Sequence, residues 1–567
     1  FLVLNEISIM KDSLFVIAIG GTGMRCLEAF VHLCAIGMFD NEEINILTLD
    51  TDQSNGNKGR VERLIELYNK VKTDNPESPG GSPNSNTFFS SKLSLYRFYT
   101  DYSMANRSTY SKLSATQGIG QETEEDDHDL ADLFLEHDTV QSFNLEHGYR
   151  AQTHLGSMLM YHGIVEAACH YVENKAKATE PEQQLADFLT ELQKSGTGAR
   201  VFVFGSVFGG TGASSIPVVP EALKEAGNII SQNTIDFNKV KFGATLLTEY
   251  FSFQSPSDAQ RKDEKLIASS DYFAINSQAA LQFYQNDKTV KERYKRLYHI
   301  GWPAKDLNVS DSNNGNTITG GAEQKNACHV VELLSACAAY DFFTLDEQNL
   351  HNTTAQYLYR SVELDEAKNL TFIGTDFVSQ SKASEFMQKL GSFLTLAHII
   401  LSKHGGALLQ NNNVANETRG TRGFIARLAE QQIPDYNDMK KEQSKEIDDY
   451  MKEFAYSIMN GSVVRGWIYQ VYNSVRMAGV SRFLFPSKVF EENVMALASM
   501  DPCKEMQEEK KSGLFNADKR TDYDDFIKNL PKCPPVADKQ NVSTMKERFL
   551  AHMFNAINRT IPFSAKL

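Results

Sequence analysis

The tetrapeptide Gly-Gly-Thr-Gly occurs twice, at 20–23 and 209–212. The first copy directly follows the apolar run LFVIAI (14–19); the second follows VFVF (201–204) after four more residues. Glycines let backbone N–H groups turn toward an anion, a helix opening behind them adds its partial positive charge, and threonine adds a hydroxyl. Such a turn could cradle a di- or triphosphate. One strand–glycine–helix turn is a weak sign, because glycine also serves tight packing; two in one chain are a sharper one. A third polar group, Asp50-Thr51-Asp52, closes another strand-like run at 44–49. No GxxxxGK[ST] occurs, which excludes a P-loop. Gly21, Gly23 and Asp50 imitate a dinucleotide fingerprint, but Cys26 stands where its third glycine belongs, and the second turn is left unexplained.

The elements that must position these turns follow from periodicity. Apolar residues at helical spacing (Leu27, Phe30, Val31, Cys34) predict a helix over 24–38. With 14–19 and 44–49 this makes a βαβ unit whose polar residues gather beyond the strand ends. Further helices are expected at 60–71, 155–175, 185–194, from about Pro217, and at 275–284; further strands at 201–204, 242–248 and 296–300. The stretch 323–343 is apolar nearly all round and predicts a central, buried helix. Strand–helix alternation to 343 argues for an α/β fold: a parallel sheet with helices on both faces. Beyond it, 370–373 reads as one more strand, while 383–402, 438–459, 463–477 and 546–557 read as helices, so 344–567 is expected to be a mostly helical C-terminal domain. The stretch 74–145, with a Pro/Gly/Ser/Asn segment at 74–86 and seven acids in 122–132, reads as an insertion with a solvated acidic face.

The chain has 567 residues, roughly three to four domain-sized units by length, although two or three large ones fit equally well. A net charge of −15 gives no overall basic footprint, so nucleic acid is not indicated as a partner. No run approaches the ~20 apolar residues of a membrane helix, and no secretory leader is expected at the amino end. Met10 is a candidate start. Seven scattered cysteines without a CxxC pair read as reduced thiols of a cytoplasmic protein.

Taken together, these residues resemble the tubulin/FtsZ superfamily, in the manner of a divergent bacterial tubulin-like protein. Its signature loop GGGTG[TS]G is matched by Phe208-Gly209-Gly210-Thr211-Gly212-Ala213-Ser214, with Pro217 in register; Phe208 and Ser214 replace the outer glycines. Gly20, Gly21, Thr22, Gly23 and Met24 look like the first phosphate loop. Asp50-Thr51-Asp52 is similar to the family's Asn-Thr-Asp, and 145–156 with Arg150 fills the slot of the terminal-phosphate sensor. The resemblance implies a nucleotide-binding domain over 10–343 with a central helix at 323–343. It implies bound GTP or GDP with Mg2+ as an accompanying ion, Glu249 on the ribose or phosphate side, and Gln324 and Asn326 at the base. It also implies self-association into an oligomer or filament controlled by nucleotide. In that family the hydrolytic acids follow the central helix and complete the next subunit's site. Here Asp346 and Glu347 occupy that place without the family's NxDxxD pattern, and a solvated helix end is the preferred reading of them. GTP hydrolysis therefore stays open, as does the choice between GTP and ATP. Two alternatives remain beside this: a non-hydrolysing, nucleotide-gated regulator whose helical C-terminal half binds a protein partner, and an NAD-binding enzyme.

Other constellations carry less. No GxSxG elbow occurs. His329 and Glu332, three apart on the expected central helix, could hold a metal, but without a second pair a structural histidine is preferred and no metal site is expected. His147 and His154 flank Arg150 in the phosphate-facing slot, and the basic stretch 291–296 reads as a solvated helix face.

Overall fold

The computed structural model describes residues 13–73, 78–99, 153–195, 198–231, 237, 239–252, 269–302, 308–309, 320–322, 324, 328–352, 354–361, 363–364, 370–371, 377–401, 441–459, 501, 503–504, 507, 511–512, 517–529 and 544–561. Its centre is a seven-stranded sheet. The strands are β1 (Ser13–Ile19), β2 (Glu43–Asp50), β3 (Lys92–Tyr99), β4 (Ala199–Phe204), β5 (Lys241–Leu247), β6 (Tyr294–Gly301) and β7 (Gln356–Ser361). They run β3-β2-β1-β4-β5-β6-β7 across the sheet, and every neighbouring pair is parallel. All loops that follow the strands therefore emerge at one edge.

The buried runs of β1 and β4 are apolar on both faces because both faces are covered. Leu14, Val16 and Ala18 pack into one core, with helices α1 (Gly20–Ala35) and α2 (Gly56–Lys72). Phe15, Ile17 and Ile19 pack into the other, with α3 (Thr153–Glu173), α4 (Glu180–Lys194) and, after the short α5 (Gly210–Ser215), α6 (Val219–Ser231). Helices α7 (Phe273–Asn286) and α8 (Lys288–Arg293) lead into β6.

Helix α9 (Val330–Thr344) lies against α1 and is buried along nearly its whole length. It starts beside Tyr250 and Trp302, just past the ends of β5 and β6. It finishes where Arg200, at the start of β4, caps its last carbonyls at 3.2 Å (Phe342), 3.1 Å (Phe343) and 2.6 Å (Leu345). It thus runs the length of the sheet, opposite in direction to the strands. The helix opens at Val330, not at 323, because His329 and Glu332 form a capping box there: the Val331 N–H donates to His329 Nδ1, and the His329 N–H to Glu332.

Three expectations change. First, residues 92–99, inside the stretch read as an insertion, form strand β3 of the central sheet; the alternation of KLSLYRFY was the signal. Second, β7 lies beyond 343 yet completes the same sheet. Among the described residues, 370–371 pair with 363–364 in a separate two-stranded ladder. Third, the central helix opens at Val330 rather than 323, whereas the helix expected from about Pro217 is present and opens at Val219.

The later helices α10 (Gln380–Leu401), α11 (Lys441–Met459), α12 (Tyr523–Asn529) and α13 (Met545–Thr560) share the α1/α2 core rather than building their own. Phe88 meets Phe393 and Phe554 at ring-centroid distances of 5.2 and 5.1 Å, and Lys389 donates to the Gly37 carbonyl at 2.5 Å. The expected helix at 463–477 lies outside the described residues. No helix among the described residues is long and apolar enough to cross a membrane.

Candidate functional site

The sheet order reverses direction between β1 and β4, which makes the crevice beyond their ends a topological switch point, where open α/β sheets bind ligands. The two glycine turns follow these two strands and touch. Gly20 has φ +65°, a left-handed conformation that favours glycine, and a Cβ placed on it would lie 3.1 Å from the Thr211 Cβ. Helix α1 opens on Gly20 itself, so Gly20 to Met24 form its first turns, with Met24 in the core. Its N-cap, Ile19, offers no capping side chain and its first turn no acid. The first amides of the helix are thereby left for another acceptor.

The glycines divide by role. A Cβ on Gly23 would come within 2.5 Å of the Phe204 carbonyl oxygen, and one on Gly212 within 2.5 Å of the Ser206 carbonyl oxygen. These two let backbones pack. A Cβ on Gly209 would meet only Ser206 Oγ, at 3.5 Å. Gly23→Ala and Gly212→Ala are each expected to lower stability by about 1–3 kcal/mol or more, and Gly209→Ala by about 1 kcal/mol or less. Urea denaturation of the three variants checks this, and equal losses at all three positions would overturn the division.

Beside the first turn, the register Ile19↔Leu49 sets Asp50 next to Gly20. Asp50 Oδ1 accepts the Thr51 N–H at 2.8 Å and the Asp52 N–H at 3.3 Å. Asp50 Oδ2 and Thr51 Oγ1 are buried without a hydrogen-bond partner among the described residues. Burial, then the neighbouring Asp52, push the Asp50 carboxyl up to about 7 against the pull of two backbone N–H groups and Lys58. Asp52 is engaged: it accepts from Ser54 and, at 2.6 Å, from the Gly321 N–H. Asn55 caps α2 and donates to Gln324 Oε1 at 2.7 Å, while the Gly56 N–H donates to the Gly321 carbonyl. Gly321 and Gln324 thus lie across the front of Gly21, whose Cβ would be 3.2 Å from both Asn55 Nδ2 and Gln324 Oε1.

On the β4 side, the Gly205 N–H donates to Thr245 Oγ1, and Ser214 Oγ donates to the Thr211 carbonyl. Gly210 and Thr211 lie on the partly open rim of this turn, and the Ala213 carbonyl accepts from Tyr284. Phe208, which stands where a more flexible turn would have glycine, is buried against Phe273, Phe251 and Tyr250. Glu249 accepts from Ser277 Oγ at 2.8 Å.

The remaining sequence candidates separate from this group. Asp346 and Glu347 follow the far end of α9. Glu347 pairs with Lys241 and Arg200, at the starts of β5 and β4, about one strand length (~20 Å) from the glycine turns. Arg150 and Asn326 lie outside the described residues, as does His147. His329 and Glu332 are a helix cap, and among the described residues no group of three His, Cys, Asp or Glu could hold a metal. The basic stretch 291–296 is tied inward through Arg293 to Glu221 and Arg296 to Asn352.

Sequence reasoning missed Asn55, Gly321 and the polar group under the first turn. Asn55 was findable as an N-cap before Gly56. The Asp52–Gly321 contact spans 269 positions and left no local signal. Beneath the turn, Arg25 pairs with Glu28 at 2.5 Å and Glu332 at 3.2 Å, and Arg60 holds Glu28 at 3.0 Å. Ser457 of α11 donates to Glu28 at 3.0 Å, and His32 contacts Tyr450 and Ser457 at 3.1 Å each. Burial brings His32 down to about 3, so it is neutral; Glu28 is held near 2, with burial outweighed by Arg25 and Arg60.

Compared with known protein families, curated proteins and solved structures, the chain matches none.

Proposed function

We propose that this protein binds a nucleotide, GTP or GDP in the manner of the tubulin-like proteins, across the crevice between β1 and β4, and that it self-associates under control of that nucleotide. The observation that carries the reading is the meeting of two glycine turns at the switch point. Beside them stand the first amides of α1, without a capping side chain, and two buried side-chain oxygens, on Asp50 and Thr51, that have no hydrogen-bond partner among the described residues. Gly20, Gly21, Thr22 and the rim residues Gly209, Gly210 and Thr211 would hold the phosphates, with Glu249 at the side of β5. Gln324, hydrogen-bonded to Asn55 over Gly21, is a phosphate-side group rather than a reader of the base.

The strand order is shared by dinucleotide folds, so NAD is the competing ligand; the second glycine turn favours the first reading. The described residues build no metal cage, and Mg2+ would arrive on the phosphates rather than be held by the protein. Glu347, neutralised by Lys241 and Arg200 at the opposite edge, supports a binder that does not hydrolyse as a single chain.

The test denatures the purified protein, identifies any nucleotide released, and then measures GTP, ATP and NAD affinity. Guanine nucleotide bound by the native protein, with affinity lowered at least tenfold in a Gly209→Trp variant whose far-ultraviolet circular dichroism spectrum matches wild type, is the expected result. NAD binding that survives Gly209→Trp would replace the reading with a dinucleotide enzyme.

A further inference from the structure

Asp50 stands out at this site. It is the last residue of β2, about 1% exposed, and its Oδ2 has no hydrogen-bond partner among the described residues, whereas Oδ1 already accepts two backbone N–H groups. A neutral carboxyl has one O–H donor, and Oδ2 is the oxygen free to carry it. We propose that Asp50 acts as a hydrogen-bond donor to the bound anion, keeping its proton on Oδ2 and directing it at a phosphate oxygen, so that binding is linked to the uptake of one proton. This rests on the nucleotide reading of the site.

The alternative, a carboxylate beside phosphate in a desolvated crevice, sets two anions against each other with nothing between them. The groups facing Asp50 relieve that only in part, through Lys58, whose pull is outweighed by burial and Asp52. On its own loop stands Asp52, already occupied by Ser54 and Gly321. From α2 comes Lys58, whose ammonium lies 5.2 Å over the ring of Tyr99 at the paired position of β3. From the β1 side come Ile19 and Gly20, and from the segment above Gly321 and Gln324, none of them charged. The free carboxyl titrates at about 7, raised first by burial and then by Asp52. A phosphate would raise it further, so the bound form keeps the proton to higher pH. The sign follows: affinity is constant below about pH 7 and falls as pH rises above it, by up to about tenfold per unit.

The test is GTP titrated calorimetrically into the full-length protein at constant excess Mg2+, at pH 7, 8 and 9, where the nucleotide's own phosphates have largely ionised. Wild-type Kd is expected to rise at least tenfold across this range. In Asp50→Asn, whose amide donates at every pH, Kd should change less than twofold. A second measurement covers a poorly folding variant: the infrared difference spectrum on adding GTP to wild type at pH 8 should gain a protonated-carboxyl band. Wild-type and Asp50→Asn profiles that run parallel, or a spectrum without that band, overturn the inference while leaving nucleotide binding intact. Absence of GTP binding at every pH removes the nucleotide reading itself, and this inference with it.

Discussion

Arg25→Met is expected to destabilise the protein by about 3–5 kcal/mol, measured by urea denaturation at pH 7, because it strips the counter-charge from a buried carboxylate. Arg25 lies 2% exposed between Glu28 and Glu332. Glu28 keeps Arg60 and Ser457 after the substitution. Among the described residues, Glu332 keeps the Tyr250 hydroxyl at 3.0 Å and the His329 N–H at 3.0 Å. Its carboxyl is already raised by burial, with Arg25 the main opposing influence, so losing Arg25 drives it toward the protonated form. The double variant Arg25→Met/Glu332→Gln keeps an oxygen for the His329 N–H, turns its amide N–H toward the Tyr250 hydroxyl oxygen, and removes the unpaired charge. It is therefore expected to be less destabilised than the sum of its singles by about 1–3 kcal/mol. Additive losses would show that the two side chains do not act as a pair. Since Ser457 and Tyr450 of α11 join the same group, Arg25→Met should also increase hydrogen exchange in α11.

The second large effect is a stability that depends on one proton. Asp50 in the folded protein holds its proton up to about pH 7, against an ordinary 3.8. A group raised in this way contributes stability that is fully present below pH ~3.9 and is lost as pH rises toward 7. Above that the loss stays constant, at an order of about 4 kcal/mol. Asp50→Asn removes the titration and sets an amide N–H where the protonated wild type has its O–H, exchanging one unpartnered donor for another at a cost of about 1 kcal/mol or less. The ligand-free variant is expected to match wild type within about 1 kcal/mol at pH 4.5 and to be more stable by about 3–4 kcal/mol at pH 8. A difference of the same sign and size at both values would mean that Asp50 does not titrate in this window. This prediction needs no nucleotide, so it separates the carboxyl's state from the ligand that it is proposed to meet.

Much of the architecture was legible because it is local. The apolar runs at 14–19, 44–49 and 201–204 read as buried strands because they are short and closed by glycine or aspartate, and residues at helical spacing follow each. Alternation of that kind leads to a parallel sheet. The two GGTG turns and the Asp50–Asp52 loop were visible as residue types at strand ends. That β3 belongs to the sheet was also written in the alternation of 92–99. It was overlooked because the Pro/Gly/Ser-rich and acidic segments around it dominated the composition of 74–145.

The rest depended on contacts between distant positions, for which sequence carries no local period. That β1 and β4 are neighbours, and so bring Gly20 against Thr211, is a property of strand order. The placement of Glu347 beside Lys241 and Arg200 follows from the direction of α9, which carries the acids after it away from the glycine turns. Gly321 and Gln324 reach Asp52 and Asn55 through folding alone. The state of Asp50 was the least legible feature. Its identity is in the sequence, but its burial, its unpaired oxygen and its retained proton come from the desolvation that only packing supplies.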